Sequence, residues 1–168
     1  MPSNAIAVMT VLTGTASGAL VDLRTRRMPN ALSGGLAVAG LALAASGLSG
    51  VSLGSSLAGL AIGLALMMPG HLFGGTGAGD VKLFAGAGAV VGVARVVPAF
   101  LYAALAGGVI ALCVALHRRR LRQSLAATAT FIATSAGNAA DIKHPNANNR
   151  FAYAPAIAIG ALLAALGM

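Results

Sequence analysis

Three side chains in this 168-residue sequence are acids, Asp22, Asp80 and Asp141, and they are the groups best suited to proton-transfer chemistry. Asp22 closes the first apolar run and Asp80 opens the fourth. An ionised carboxylate at the centre of a membrane helix costs about 2.5–3.5 kcal/mol on insertion scales and less near the interface, so an acid in such a run ordinarily faces a partner or a water-filled cavity. Taken singly, each has a structural explanation: a salt bridge from Asp22 to Arg24 or Arg26, and an N-cap by Asp80 on a helix beginning at Val81. The setting of Asp80 is more specific, because Gly74-Gly75-Thr76-Gly77-Ala78-Gly79 leads directly into it. Glycine permits positive φ and close approach of another backbone, which a protease needs in order to set a scissile peptide against its acid; Gly77 and Gly79 are the candidates for that approach. A phosphate-cradling loop also joins glycines to a helix start, but this stretch lacks a Gly-Lys-Ser/Thr ending and offers a negative charge where the anion would lie.

The other polar residues are weaker candidates. His71, His117 and His144 are scattered at no metal-ligand spacing, so no metal site is expected. Asp141 stands among Lys143, Asn146, Asn148 and Asn149 as a solvated acid, and is the fallback carboxylate if Asp22 is structural. Lys82, two residues after Asp80, either tunes the acid pair or anchors its helix at the membrane interface. Cys113 has no second cysteine for a disulfide or a Cys-pair metal site, and reads as a small buried residue.

The elements that must position these residues follow from composition. Hydrophobic residues make up 58% of the chain and charged residues 8%, with a mean hydropathy of +0.88, against about 45–50% and about 25% in soluble domains. The chain therefore belongs in a bilayer, and its length leaves room for about six spans and no separate soluble domain. Apolar runs occupy about 4–22, 31–49, 51–69, 81–97, 98–116 and 151–167. The fold class is all-α, a polytopic membrane protein. Arg95 and Pro98 interrupt a nearly continuous run and mark either a tight hairpin or a kink. With no Trp and abundant Gly and Ala, helix contacts must come from close backbone approach; Gly14/Gly18, Gly59/Gly63 and Gly88/Gly92 all have the small-xxx-small spacing.

Charge gives the orientation. Placing the N-terminus outside puts every Lys and Arg except Arg95 on the cytoplasmic side, so the expected topology is N-out and C-out. The formal net charge of +8 is then a topology signal and a lipid contact, not a nucleic-acid surface, since no basic patch is interleaved with aromatics. The run from Ala5 to Val21 has no basic residue before it, the reverse of a cleavable signal, and is expected to remain as the first span. Residues 117–150 are expected to form a cytoplasmic or interfacial segment within one membrane-embedded domain, 1–168.

Three segments resemble the type IV prepilin leader peptidases, in particular the short Tad/Cpa-pilus form without a cytoplasmic zinc domain. Val21-Asp22-Leu23-Arg24-Thr25-Arg26-Arg27-Met28-Pro29-Asn30 looks like the family's first-aspartate segment. Gly77-Ala78-Gly79-Asp80-Val81-Lys82 looks like its Gly-x-Gly-Asp-hydrophobic-Lys segment, and Arg150-Phe151-Ala152-Tyr153-Ala154-Pro155-Ala156 resembles its closing Pro-Tyr-Ala-Pro-Ala helix, with Ala152 where Pro is usual. The resemblance implies an aspartic endopeptidase of the bacterial inner membrane, without a cofactor, whose catalytic residues are Asp22 and Asp80 and whose substrate is a prepilin or pseudopilin cut at the end of its basic cytoplasmic leader. Two nearby carboxyls do not both ionise cheaply, so the pair would share a proton. With one Cys, the Cys-pair domain that accompanies N-methylation is absent, and methyltransferase activity is not expected.

Two other accounts fit parts of the sequence. A noncatalytic membrane subunit or small proton- or cation-coupled transporter would use the acids as a path, but a path usually carries polar groups deeper in the spans. A presenilin-like protease shares Gly-x-Gly-Asp but would require more spans and a Tyr-Asp pair, where this chain has Val21 before Asp22.

Overall fold

A computed structural model describes residues 2–25, 28–73, 75–117 and 153–167. Every regular element among them is a helix: α1 (Pro2–Thr25), α2 (Asn30–Ala45), α3 (Leu53–Leu72), α4 (Ala78–Val91), α5 (Val93–His117) and α6 (Ala154–Leu166). Three are long and apolar enough to cross a membrane, over Ala5–Thr25, Leu53–Leu72 and Val93–Val114; α2 and α6 are apolar but shorter. The all-helical, polytopic architecture matches the expectation from composition. The expected segment 117–150 lies almost wholly outside the described residues.

Helix α4 is the hub, packing against the other five. All of it is buried except Ala78, Gly79 and Lys82. At about 1.5 Å rise per residue it is some 21 Å long, short of a hydrocarbon core of about 30 Å. Its neighbours supply the cover that its own length does not.

Small residues make that packing possible. Gly59 on α3 and Gly88 on α4 face each other so closely that a Cβ on either would overlap the other's carbonyl oxygen, and a Cβ on Gly63 would stand 3.2 Å from the Ala85 Cα. On α2, a Cβ on Gly40 would be 2.9 Å from the Val90 nitrogen of α4. Inside a bilayer no hydrophobic effect drives helix against helix, so association relies on this van der Waals contact and on interhelical hydrogen bonds. One such bond runs from the buried Ser56 Oγ to the Ala89 carbonyl at 2.6 Å, in a class worth about 0.6 kcal/mol on average.

The contacts also fix direction. Gly59 and Gly63 of α3 meet Gly88 and Ala85 of α4, and Ser55 meets Val93 just beyond the end of α4, so α3 and α4 are antiparallel. Asn30, Ser33 and Gly40 of α2 meet Lys82, Gly86 and Val90, so α2 and α4 are parallel. Tyr153, Gly160 and Ala165 meet Gly107, Ala103 and Arg95, so α5 and α6 are antiparallel. The chain thus runs up and down, with one end of the bundle formed by the end of α1 and the starts of α2, α4 and α6.

The division between the fourth and fifth helices differs from the sequence expectation. The break falls at Gly92, with φ 76° and ψ 176°, and Pro98 lies inside α5. Glycine alone takes such a φ without strain, whereas Pro98 removes only the hydrogen bond to the Ala94 carbonyl near the start of a 25-residue helix. A second correction concerns Cys113, which is exposed, because the last turns of α5 extend beyond the packed core.

Candidate active site

Asp22 is in the last turn of α1 and Asp80 in the first turn of α4, both at the same end of the bundle. They are buried, with relative exposures of 9% and 8%. Asp22 lies near enough to Asp80 for its charge to act on that carboxyl, although the two are far apart in sequence. Asp141 lies outside the described residues.

Asp80 is the third residue of α4, not its N-cap. The N-cap is Gly77, in extended conformation (φ −75°, ψ 148°), and its N–H donates to Asp80 Oδ2 at 3.2 Å. The carboxyl thereby satisfies one of the donors that a helix start leaves unpaired. No described glycine of the 75–79 stretch has positive φ. Gly79 serves close packing: a Cβ there would overlap the Met28 side chain, which comes from the segment that follows Asp22. The two segments are therefore interlocked at this point.

The backbone N–H of Ala154, the first residue of α6, is directed at the Asp22 carboxyl. Arg24 is exposed and lies two positions along the helix, where side chains do not face each other; Arg26 lies outside the described residues. The second carboxyl oxygen, Asp22 Oδ2, is buried and has no hydrogen-bond partner among the described residues. Buried polar atoms in folded proteins are nearly always paired, and an exception calls for a functional or structural reason.

Lys82 is exposed, and its Nζ donates to Asn30 Oδ1 at the start of α2, at 2.9 Å. Two positions from Asp80 on a helix, it points away from the carboxyl pair. His71, at the end of α3, places its Nδ1 3.1 Å from the Thr76 carbonyl and so closes the loop before α4. No group of three potential metal ligands occurs among the described residues.

Tyr153 and Ala154 take part in the site although sequence reasoning gave them no role. The phenol lies within the field of Asp80, and its hydroxyl donates to the Ala103 carbonyl at 3.3 Å. The available signal was the scarcity of Tyr, of which the chain has 2, with Tyr153 two positions before a Pro that marks a helix start.

Fold and site together define a membrane-embedded helical protein with a pair of buried carboxyls at one end of the bundle. The model of the type IV leader peptidase family matches residues 8–112, which include both aspartates. The chain belongs to the type IV leader peptidase family, which makes it a leader-peptidase-like protease with prepilin-type substrates. Helix α6 lies beyond the matched residues. No curated protein and no solved structure gave a match.

Proposed function

We propose that this chain is an aspartic prepilin peptidase of the Tad/Flp-pilus kind, which removes the basic leader of a type IV prepilin or pseudopilin with Asp22 and Asp80. The observation that carries this reading is the placement of two buried carboxyls at one end of the bundle, one with its Oδ2 unpaired among the described residues. The pair works with one member ionised and one protonated. The ionised carboxyl takes a proton from water as the water oxygen bonds to the scissile carbonyl carbon, and the protonated carboxyl gives its proton to the carbonyl oxygen. Collapse of the tetrahedral species breaks the C–N bond, with a proton passing from the first carboxyl to the leaving amine and a diol hydroxyl returning its proton to the second carboxyl, which restores the pair. The peptide approaches over Gly77, where a Cβ would stand 3.2 Å from Asp80 Oδ2 and crowd that approach.

The carboxyl end of the bundle faces the cytoplasm of the bacterial inner membrane in this reading. Arg24 and Lys82 lie at that end and Arg95 at the other, as the positive-inside rule requires. A cytoplasmic site suits a substrate whose leader is cytoplasmic and whose following helix is in the membrane.

The test is cleavage of a prepilin in membranes containing the native protein, Asp22→Asn, Asp80→Asn or Asp141→Asn, with the amount inserted measured for each. Asp22→Asn and Asp80→Asn are each expected to lower cleavage by about 10²–10⁴-fold, and Asp141→Asn to leave it near native. Near-native cleavage in both of the first two would remove the aspartate pair from the mechanism; no cleavage by the native protein would favour a noncatalytic subunit or a transporter.

A further inference from the structure

We propose that Tyr153 is a positioning residue, which fixes the first turn of α6 so that the Ala154 N–H holds Asp22 in its working orientation. The proposal deepens the aspartate-pair reading and rests on it. The ring of Tyr153 occupies a slot on α5 that exists because residue 107 is glycine: a Cβ on Gly107 would stand 2.5 Å from the ring Cε2 and 3.1 Å from Cζ. The hydroxyl reaches the Ala103 carbonyl one turn away at 3.3 Å, so the side chain is held at two points on α5. Its own carbonyl accepts from the Ile157 N–H at 3.1 Å, which closes the first turn of α6. The next N–H along the chain, that of Ala154, is directed at the Asp22 carboxyl.

Two further features favour positioning over direct chemistry. Asp80 is near enough for its charge to act on the phenol, yet the hydroxyl is engaged by a backbone carbonyl and not by either carboxyl. Pro155, the second residue of α6, has no N–H, so the start of this helix presents the Ala154 donor without competition from its neighbour. Holding one oxygen of Asp22 on that N–H leaves Oδ2 as the buried atom that is unpaired among the described residues. If the ring is lost, the first turn of α6 is released from α5, and a displacement of about 1 Å in a reacting group costs on the order of 10²-fold in rate.

The experiment measures kcat and apparent KM for prepilin cleavage in the full-length, membrane-inserted protein, normalised to the amount inserted. Tyr153→Leu is expected to lower kcat by about 10-fold to 10²-fold with apparent KM little changed. Tyr153→Phe keeps the ring in the Gly107 slot and is expected to retain most of kcat. Gly107→Ala, which displaces the ring from a distance, is expected to lower kcat as Tyr153→Leu does, and the double variant to lose no more than Tyr153→Leu alone, since no ring remains to be displaced. Gly107→Ala and Tyr153→Phe keep the question answerable should Tyr153→Leu fail to insert.

Native kcat in Tyr153→Leu or Gly107→Ala would overturn the proposal while leaving the aspartate pair intact, provided Asp22→Asn is inactive in the same membranes. Equal losses in Tyr153→Phe and Tyr153→Leu would assign the hydroxyl a direct part, and a rise confined to KM would place the ring on the substrate; either overturns it, as would full additivity of Gly107→Ala and Tyr153→Leu. Retained cleavage in Asp22→Asn would instead defeat the aspartate-pair reading, and this proposal with it.

Discussion

Each carboxyl of the pair has a backbone N–H directed at it, and the two N–H groups come from different places. Asp80 uses Gly77, from its own helix start, whereas Asp22 uses Ala154, from a helix that follows it by most of the chain. Asparagine retains an oxygen that can accept from the same N–H, so Asp22→Asn should insert and fold while losing the proton chemistry. Lys82 belongs to a different account. Its bond to Asn30 joins the two aspartate segments on an exposed surface, where a polar contact contributes about 0.5–1.5 kcal/mol. We expect Lys82→Gln to keep cleavage within about tenfold of native, a limit set by loss of that one bond, when initial rates are compared at equal inserted amounts. A loss as deep as that of Asp80→Asn would mean that Lys82 acts on the pair.

At the scale of elements, glycine positions divide into those that set helix contacts and those that do not. Gly88 stands against the Gly59 backbone, while a Cβ on Gly108 would have nothing within 4 Å. Gly88→Ala should push α3 from α4 and destabilise the fold by about 1–3 kcal/mol. Gly108→Ala should be neutral or stabilising by up to about 1 kcal/mol, as alanine is the better helix former. Reversible unfolding in mixed micelles distinguishes them, and equal effects would contradict the close α3–α4 contact. Gly92 is a separate case, because its positive φ makes the turn between α4 and α5.

For the whole molecule, the up-and-down course places the end of α1 and the end of α2 on opposite ends of the bundle. With Cys113 replaced by Ser, a single cysteine at exposed Ser46 should react with a membrane-impermeant maleimide added to intact spheroplasts. One at exposed Thr25 should react only after the membrane is opened. The reverse pattern would put the carboxyl pair on the outer face and refute a cytoplasmic cut.

Much of this was legible in the sequence because it depends on local composition. Apolar runs separated by charge and glycine specify helices, and an acid in such a chain is expensive enough for Asp22 and Asp80 to stand out. The two aspartate segments, being contiguous, carry the family resemblance without any tertiary information. The chain has almost no polar face on its helices, however, so periodicity does not mark which side turns inward. The central place of α4, the turn at Gly92 and not at Pro98, the exposure of Cys113, the Lys82–Asn30 bond and the Ala154 donor to Asp22 depend on which small residues let which backbones approach. That choice is made between helices distant in sequence, and only the packed bundle decides it.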